Sequence, residues 1–122
     1  MTTRRQLGAV TAETAVVLPV MALFTLAMVW LVSWGLAAVR AQDAAREAAR
    51  VIARGDAPAE ATVLARRIAP AHATVEVRRD AGSVEVVVSA TVRGPGGVLG
   101  FLPGPTVHGH AVSVTESDAV EQ

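Results

Sequence analysis

Gly8-Ala9-Val10-Thr11-Ala12-Glu13-Thr14-Ala15-Val16-Val17-Leu18-Pro19 opens a stretch that then runs without a single charge to Val39. The uncharged part, Thr14 to Val39, exceeds the ~20 apolar residues that a helix needs to cross a ~30 Å hydrocarbon layer. It therefore reads as one membrane helix. A carboxylate near the end of such a helix costs less than the roughly 2.5 to 3.5 kcal/mol charged at its centre, but it still calls for a role. Glu13 is thus either a functional group within the apolar helix or a residue at headgroup level.

Outward from this segment, the composition bounds the rest. The chain has 122 residues, is 52% hydrophobic, and carries 11 basic and 11 acidic residues for a net charge of zero. One membrane helix leaves material for one small extramembrane module. No basic field points to nucleic acid and no acidic tract to a basic partner. The absence of cysteine removes disulfides, thiolate nucleophiles and Cys-based zinc sites. Ahead of Gly8 lies a short basic leader with Arg4 and Arg5. A cleavable secretory signal would need an apolar core of 7 to 15 residues, and the best conventional site, after Val39-Arg40-Ala41, follows a core that is far too long.

The order of basic leader, glycine, small residue and then glutamate as the fifth residue past Gly8 resembles the processing site of type IV prepilins. Together with Pro19 inside the apolar run and Gln42-Asp-Ala-Ala-Arg-Glu-Ala-Ala-Arg50 beyond it, the stretch from about residue 4 to 54 resembles the TadE family, minor pilins or pseudopilins of the Flp (tight-adherence, type IVb-like) pilus system. The resemblance implies that a prepilin peptidase cuts between Gly8 and Ala9 on the cytoplasmic side and leaves the helix on the mature chain. It gives Glu13 the role of the filament-assembly carboxylate. That role agrees with helix geometry, since residues four apart share a face and Glu13 can meet the Ala9 amine of its own or a neighbouring subunit. The implied partners are the peptidase, other pilin subunits, the Tad assembly machinery and membrane lipid. The lack of tyrosine and the length of the chain fit a minor rather than a major subunit.

Pro19 deletes a backbone donor and marks a hinge or a harmless bend over residues 15–19. Trp30 and Trp34, four apart, fit an interfacial anchor. Neither Gly nor Pro interrupts Leu36 to Arg54, so the helix is expected to run on from Ala9 to Arg54, about 46 residues or roughly 70 Å at 1.5 Å per residue. Ala37, Ala41, Ala45 and Ala49 form a small-residue stripe with Ala44 and Ala48 beside it, suited to close packing against another helix or against the chain's own head. Counting arginines alone would keep the C-terminal half in the cytoplasm, because Arg40, Arg46, Arg50 and Arg54 outnumber Arg4 and Arg5. Those four are interleaved with Asp43 and Glu47, and the prepilin resemblance requires the opposite orientation, N-terminus in and head out.

The remaining chain predicts an α+β head over residues 55–115. Gly55-Asp56 ends the long helix, with Asp56 as N-cap of a second helix from Ala57 to Ala69 whose inward residues are Ala61, Val63, Leu64 and Ile68. Alternation in Thr74–Arg78 and Ser83–Arg93 about the turn Arg79–Gly82 predicts a hairpin, and Val107–Thr115 a third strand of a small antiparallel sheet. The Gly- and Pro-rich loop Gly94–Pro105 carries Val98, Leu99, Phe101 and Leu102, which suit the core of an apolar-poor head better than a membrane or partner contact. Residues 116–122 read as a flexible tail. His108 and His110 share a strand face at a spacing that metals accept, but lacking a nearby third ligand they read as solvated. No phosphate loop or nucleophile elbow occurs. The sequence thus points to a non-enzymatic, cofactor-free subunit, a single-pass protein of the cytoplasmic membrane. A permanently anchored accessory component of a secretion or envelope system, or a small secreted protein, is the alternative.

Overall fold

The computed structural model describes residues 2–95 and 100–115, with side chains from Gly8 onward. Helix α1 spans Thr2–Ala53, α2 Pro58–Ile68, and strands β1, β2 and β3 span Thr74–Asp80, Ser83–Thr91 and Thr106–Val114. The fold is α+β, with the long apolar helix first. Helix α1 already begins at Thr2, ahead of the expected start at Ala9. Val98, Leu99 and the tail from Glu116 lie outside the described residues. The chain divides into two compact units, Met1–Val32 and Ser33–Gln122.

In the first unit the helix carries large apolar side chains that are mostly exposed. Val16, Leu18, Phe24 and Val32 are 58 to 71% exposed, and the most apolar window of α1 has a mean hydropathy of 2.5 with none of it buried. So many large side chains left open make sense in lipid, which needs no protein partner to receive them. In length and composition the helix is consistent with a single-pass anchor. Hydroxyls on the span bond back to the helix, Thr14 Oγ1 to the Val10 carbonyl and Thr25 Oγ1 to that of Met21, both at 2.9 Å. The helix continues through Pro19, whose ring withholds the N–H that the Ala15 carbonyl would accept.

The second unit is built on the end of α1. Its chain stops turning at Gly55, φ +93°, where the Asp56 N–H reaches the Val51 carbonyl and the Gly55 N–H that of Ile52. That pair of bonds satisfies carbonyls the helix end would otherwise orphan, and the left-handed φ is why glycine stands there. Asp56 does not cap α2. The N-cap is Ala57, without a side-chain bond, and Pro58 supplies the preset φ of the first turn instead. Inside α2 the buried positions are Ala61 and Ala65, with Leu64 and Ile68 half-buried against them. Val63, expected inward, is 54% exposed: the short helix turns a narrow alanine edge to its neighbours, and Val63 falls off that edge.

The sheet has the order β1-β2-β3, antiparallel throughout. Asp80 pairs with Ser83 around the two-residue turn Ala81-Gly82; Gly82 takes φ +77° and the Asp80 carboxylate accepts the Ala81 N–H at 2.9 Å. One face of the sheet is buried at Val84, Val86, Val88, Ala90 and Val107. Against it lies the alanine ridge of α1: Ala41, Ala44, Ala45 and Ala48 have no exposed surface, and Ala37 and Ala49 very little. The stripe therefore packs on the chain's own sheet. A core of single methyl groups lets helix and sheet backbones approach closely, and the approach is tightest at Gly109, where an added Cβ would stand 2.0 Å from the Ala41 carbonyl oxygen.

Candidate functional site

Gly8, Ala9 and Glu13 all sit on α1 and are exposed. Space around Gly8 is open, with nothing within 4 Å of where a Cβ would be. Helical geometry puts Glu13 one turn below Ala9 on the same face. Among the described residues Glu13 has no ion-pair partner. Glycine at position 8 weakens the helix there by about 1 kcal/mol relative to alanine.

Farther along, the two tryptophans part company. Trp34 is 41% exposed, whereas Trp30 is half-buried and its indole N–H is covered without a partner. Only Trp34 has the openness of a headgroup anchor.

The hold between α1 and the head rests on a residue that local sequence patterns did not single out. Gln42 Nε2 donates to the His110 carbonyl at 2.7 Å, and the His110 N–H donates to Gln42 Oε1 at 3.2 Å. The side-chain amide thus presents a donor and an acceptor to one peptide position of β3, as a neighbouring strand would. Two signals pointed here: a polar residue at the margin of an alanine ridge, and Gly109 inside an alternating strand, which commonly marks close backbone approach. Replacing Gln42 with Ala is expected to cost about 1–2 kcal/mol, lowering the melting temperature of the head by roughly 5–10 °C. Circular dichroism of the full chain in detergent measures it, and an unchanged melt would mean that the two bonds carry no net stability.

On the opposite face of the sheet, His108 Nδ1 lies 3.1 Å from Ser89 Oγ, and His110 Nε2 lies 2.7 Å from Glu85 Oε1. Both contacts are exposed. Each histidine has its own partner, and among the described residues no three His, Asp or Glu side chains gather to hold a metal. Beside β3, Arg46, Arg50 and Arg54 line an open groove with Ala111–Val114; Arg50 pairs with Glu47 at 3.4 Å and Arg54 with Asp56 at 3.9 Å. Phe101, favoured as core, is 78% exposed, and Leu102 is 39% exposed.

Residues 8–50 match the family described as TadE-like protein. The matched stretch holds Gly8, Glu13, Pro19 and the alanine ridge through Ala49, and it ends before α2 and the sheet. No curated protein and no solved structure matches the chain.

Proposed function

From a chain that is TadE-like over residues 8–50, and so tied to Tad pilus systems, we infer a minor pilin-like subunit that takes part in assembling a Flp/Tad-type pilus. One observation carries this reading: Gly8 and Ala9, with Glu13 one turn on, stand exposed just ahead of a run of large apolar side chains that are themselves exposed. The helix first anchors the subunit in the cytoplasmic membrane, N-terminus inside and head outside. A prepilin peptidase cuts after Gly8, and the new Ala9 amine then meets Glu13 of its own or a neighbouring subunit. In low dielectric each of these charges would be costly alone, so pairing favours docking. Pro19 serves as the hinge that lets the first turns adjust as the subunit passes from lipid to filament. The role is structural, not catalytic, and its partners are the peptidase, other pilins and the Tad machinery.

The secreted alternative fares poorly on packing. A cut after Ala41 would strip Ala37 and Ala41 from the core and leave Gln42 at a loose chain end, although its amide holds β3. A permanently anchored accessory component retains the same core, and it differs in its N-terminus. N-terminal sequencing and intact mass of the protein isolated from cells that express the pilus system are expected to give Ala9 as the first residue, and Gly8→Glu is expected to leave the leader in place. A mature chain beginning at Met1 refutes processing, and one beginning at Gln42 refutes retention of the helix.

A further inference from the structure

At one end of the sheet the turn before β1, the end of β2 with Arg93 beyond it, and the first residue of β3 come together. Between them lies an open depression of about 430 Å³, lined by His72, Thr74, Ser89, Thr91, Arg93 and Thr106. Strand register collects the hydroxyls there. Thr74 stands opposite Ser89 and Thr91 opposite Thr106, and strand positions two apart share a face, so all four lie on the side turned away from the alanine ridge. Thr74 Oγ1 donates to the Ser89 carbonyl at 3.4 Å, and Ser89 Oγ meets His108. The Thr91 and Thr106 hydroxyls are 3.4 Å apart. One O–H serves that pair, and the other is left to give.

Charge at this end is one-sided. No acid occurs from Ala61 to Val75 or from Val86 to Thr115, the stretches that supply every lining residue, although the chain has 11 acids. The acid next along β1, Glu76, is already paired with Arg78 at 3.4 Å. Arg93 is exposed and has no ion pair among the described residues. His72 reaches the depression at a conformational cost. The Ala73 N–H closes a turn on the Pro70 carbonyl at 3.2 Å, and His72, third in that turn, has φ +59°. Glycine or asparagine is the usual occupant of such a position, and a strained side chain held there points to a use beyond folding.

We propose that this depression binds a phosphoryl group, with the Arg93 guanidinium, the His72 imidazole and the spare hydroxyl of the Thr91–Thr106 pair donating to its oxygens. A guanidinium fork matches two oxygens of a tetrahedral anion. Imidazole has an N–H to give in either charge state. The site lies within the head and is independent of the pilus role. A lipid headgroup and a small soluble phosphate ester carry the same group.

The test uses the isotope-labelled full chain in neutral detergent, with NMR signals read at the Arg93 side chain, the His72 ring and the Thr91 and Thr106 amides. Inorganic phosphate, added at an ionic strength held constant with sodium chloride, is expected to shift these signals along saturable curves. Arg93→Gln is expected to weaken phosphate binding about tenfold or more, and Arg78→Gln to leave it unchanged. His72→Gly separates folding from binding. It is expected to raise the melting temperature, because glycine takes the left-handed φ without strain, and to weaken phosphate binding severalfold. Shifts that do not saturate and that chloride reproduces overturn the proposal, as does an affinity that survives Arg93→Gln; a His72→Gly variant that binds phosphate like the parent overturns the role of the imidazole. Glycerol phosphate and a short-chain phosphatidic acid, each competing against inorganic phosphate, separate the sources. Tighter binding of the first assigns a soluble ester and tighter binding of the second a lipid headgroup, while failure of both to compete overturns the proposal.

Discussion

Gly109→Ala is expected to unfold the head while the membrane anchor stays inserted. The one added carbon would stand 2.0 Å from the Ala41 carbonyl oxygen, 2.2 Å from its carbon and 2.6 Å from the Gln42 nitrogen. None of these is a side-chain tip that swings aside. All three belong to a helix backbone, so relief means lifting β3 or α1 off the other and opening a core of alanine and valine. Overpacking ordinarily costs about 1–3 kcal/mol, and backbone that cannot relax carries the loss beyond 4 kcal/mol. A small domain has roughly 5–15 kcal/mol to lose. Limited proteolysis of the full chain in detergent is expected to digest residues beyond about Ala53 in the variant and spare them in the parent. Gly35→Ala is the control: it has nothing within 4 Å of the new carbon and gains up to about 1 kcal/mol of helix propensity. A Gly109→Ala head that melts with the parent would mean that helix and sheet are farther apart than described.

Replacing Glu13 with Ala is expected to leave cleavage and membrane insertion intact and to remove the subunit from pili. Insertion eases when a charge leaves an apolar helix. The processed amine of Ala9, however, would enter a filament without its counter-charge, and breaking a buried ion pair by deleting one partner costs about 3–5 kcal/mol. At 1.4 kcal/mol per decade that is a loss of incorporation of roughly 10²-fold or more, read as the ratio of subunit in sheared pili to subunit in membranes. Glu13→Gln keeps a hydrogen-bonding group of the same shape, so it separates charge from contact and is expected to fail nearly as badly. An alanine variant that assembles like the parent would reduce Glu13 to a headgroup-level residue.

How much of this was legible in the sequence follows from the range of the forces involved. The uncharged run to Val39 and the alternation in Ser83–Thr91 are periodic, local signals. They gave the end of the long helix, the hairpin and the third strand to within a residue or two, while α1 starts at Thr2, seven residues before the expected Ala9. Packing partners leave no such trace. An alanine stripe fits a neighbouring helix and a sheet equally well, and only the tertiary fold assigns it to the sheet. Asp56 has the chemistry of a cap but sits one residue too early, because the Gly55 turn uses its N–H to close α1 and Ala57 inherits the cap position. Phe101 was placed inside on the argument that a small head lacks apolar mass; methyl groups in close contact met that need instead. Of the candidate site, the spacing of Gly8, Ala9 and Glu13 was readable at once, being a property of one helix. Gln42 meets His110, next to Gly109, across a gap of 68 residues in the chain, and no local window of sequence contains both.

The amide of Gln42 has a consequence for life in a crowded membrane. β3 is an edge strand, and edges with free N–H and C=O groups are templates on which a second chain can add a strand and start an aggregate. Copies of an anchored protein share one plane and one orientation, which brings identical edges together far more often than free diffusion in solution does. By occupying the outward-facing peptide groups of His110 in the middle of that edge, Gln42 breaks the run of open groups that a visiting strand would need. The glutamine that fastens the helix thus leaves fewer open peptide groups on this edge for a second strand to pair with.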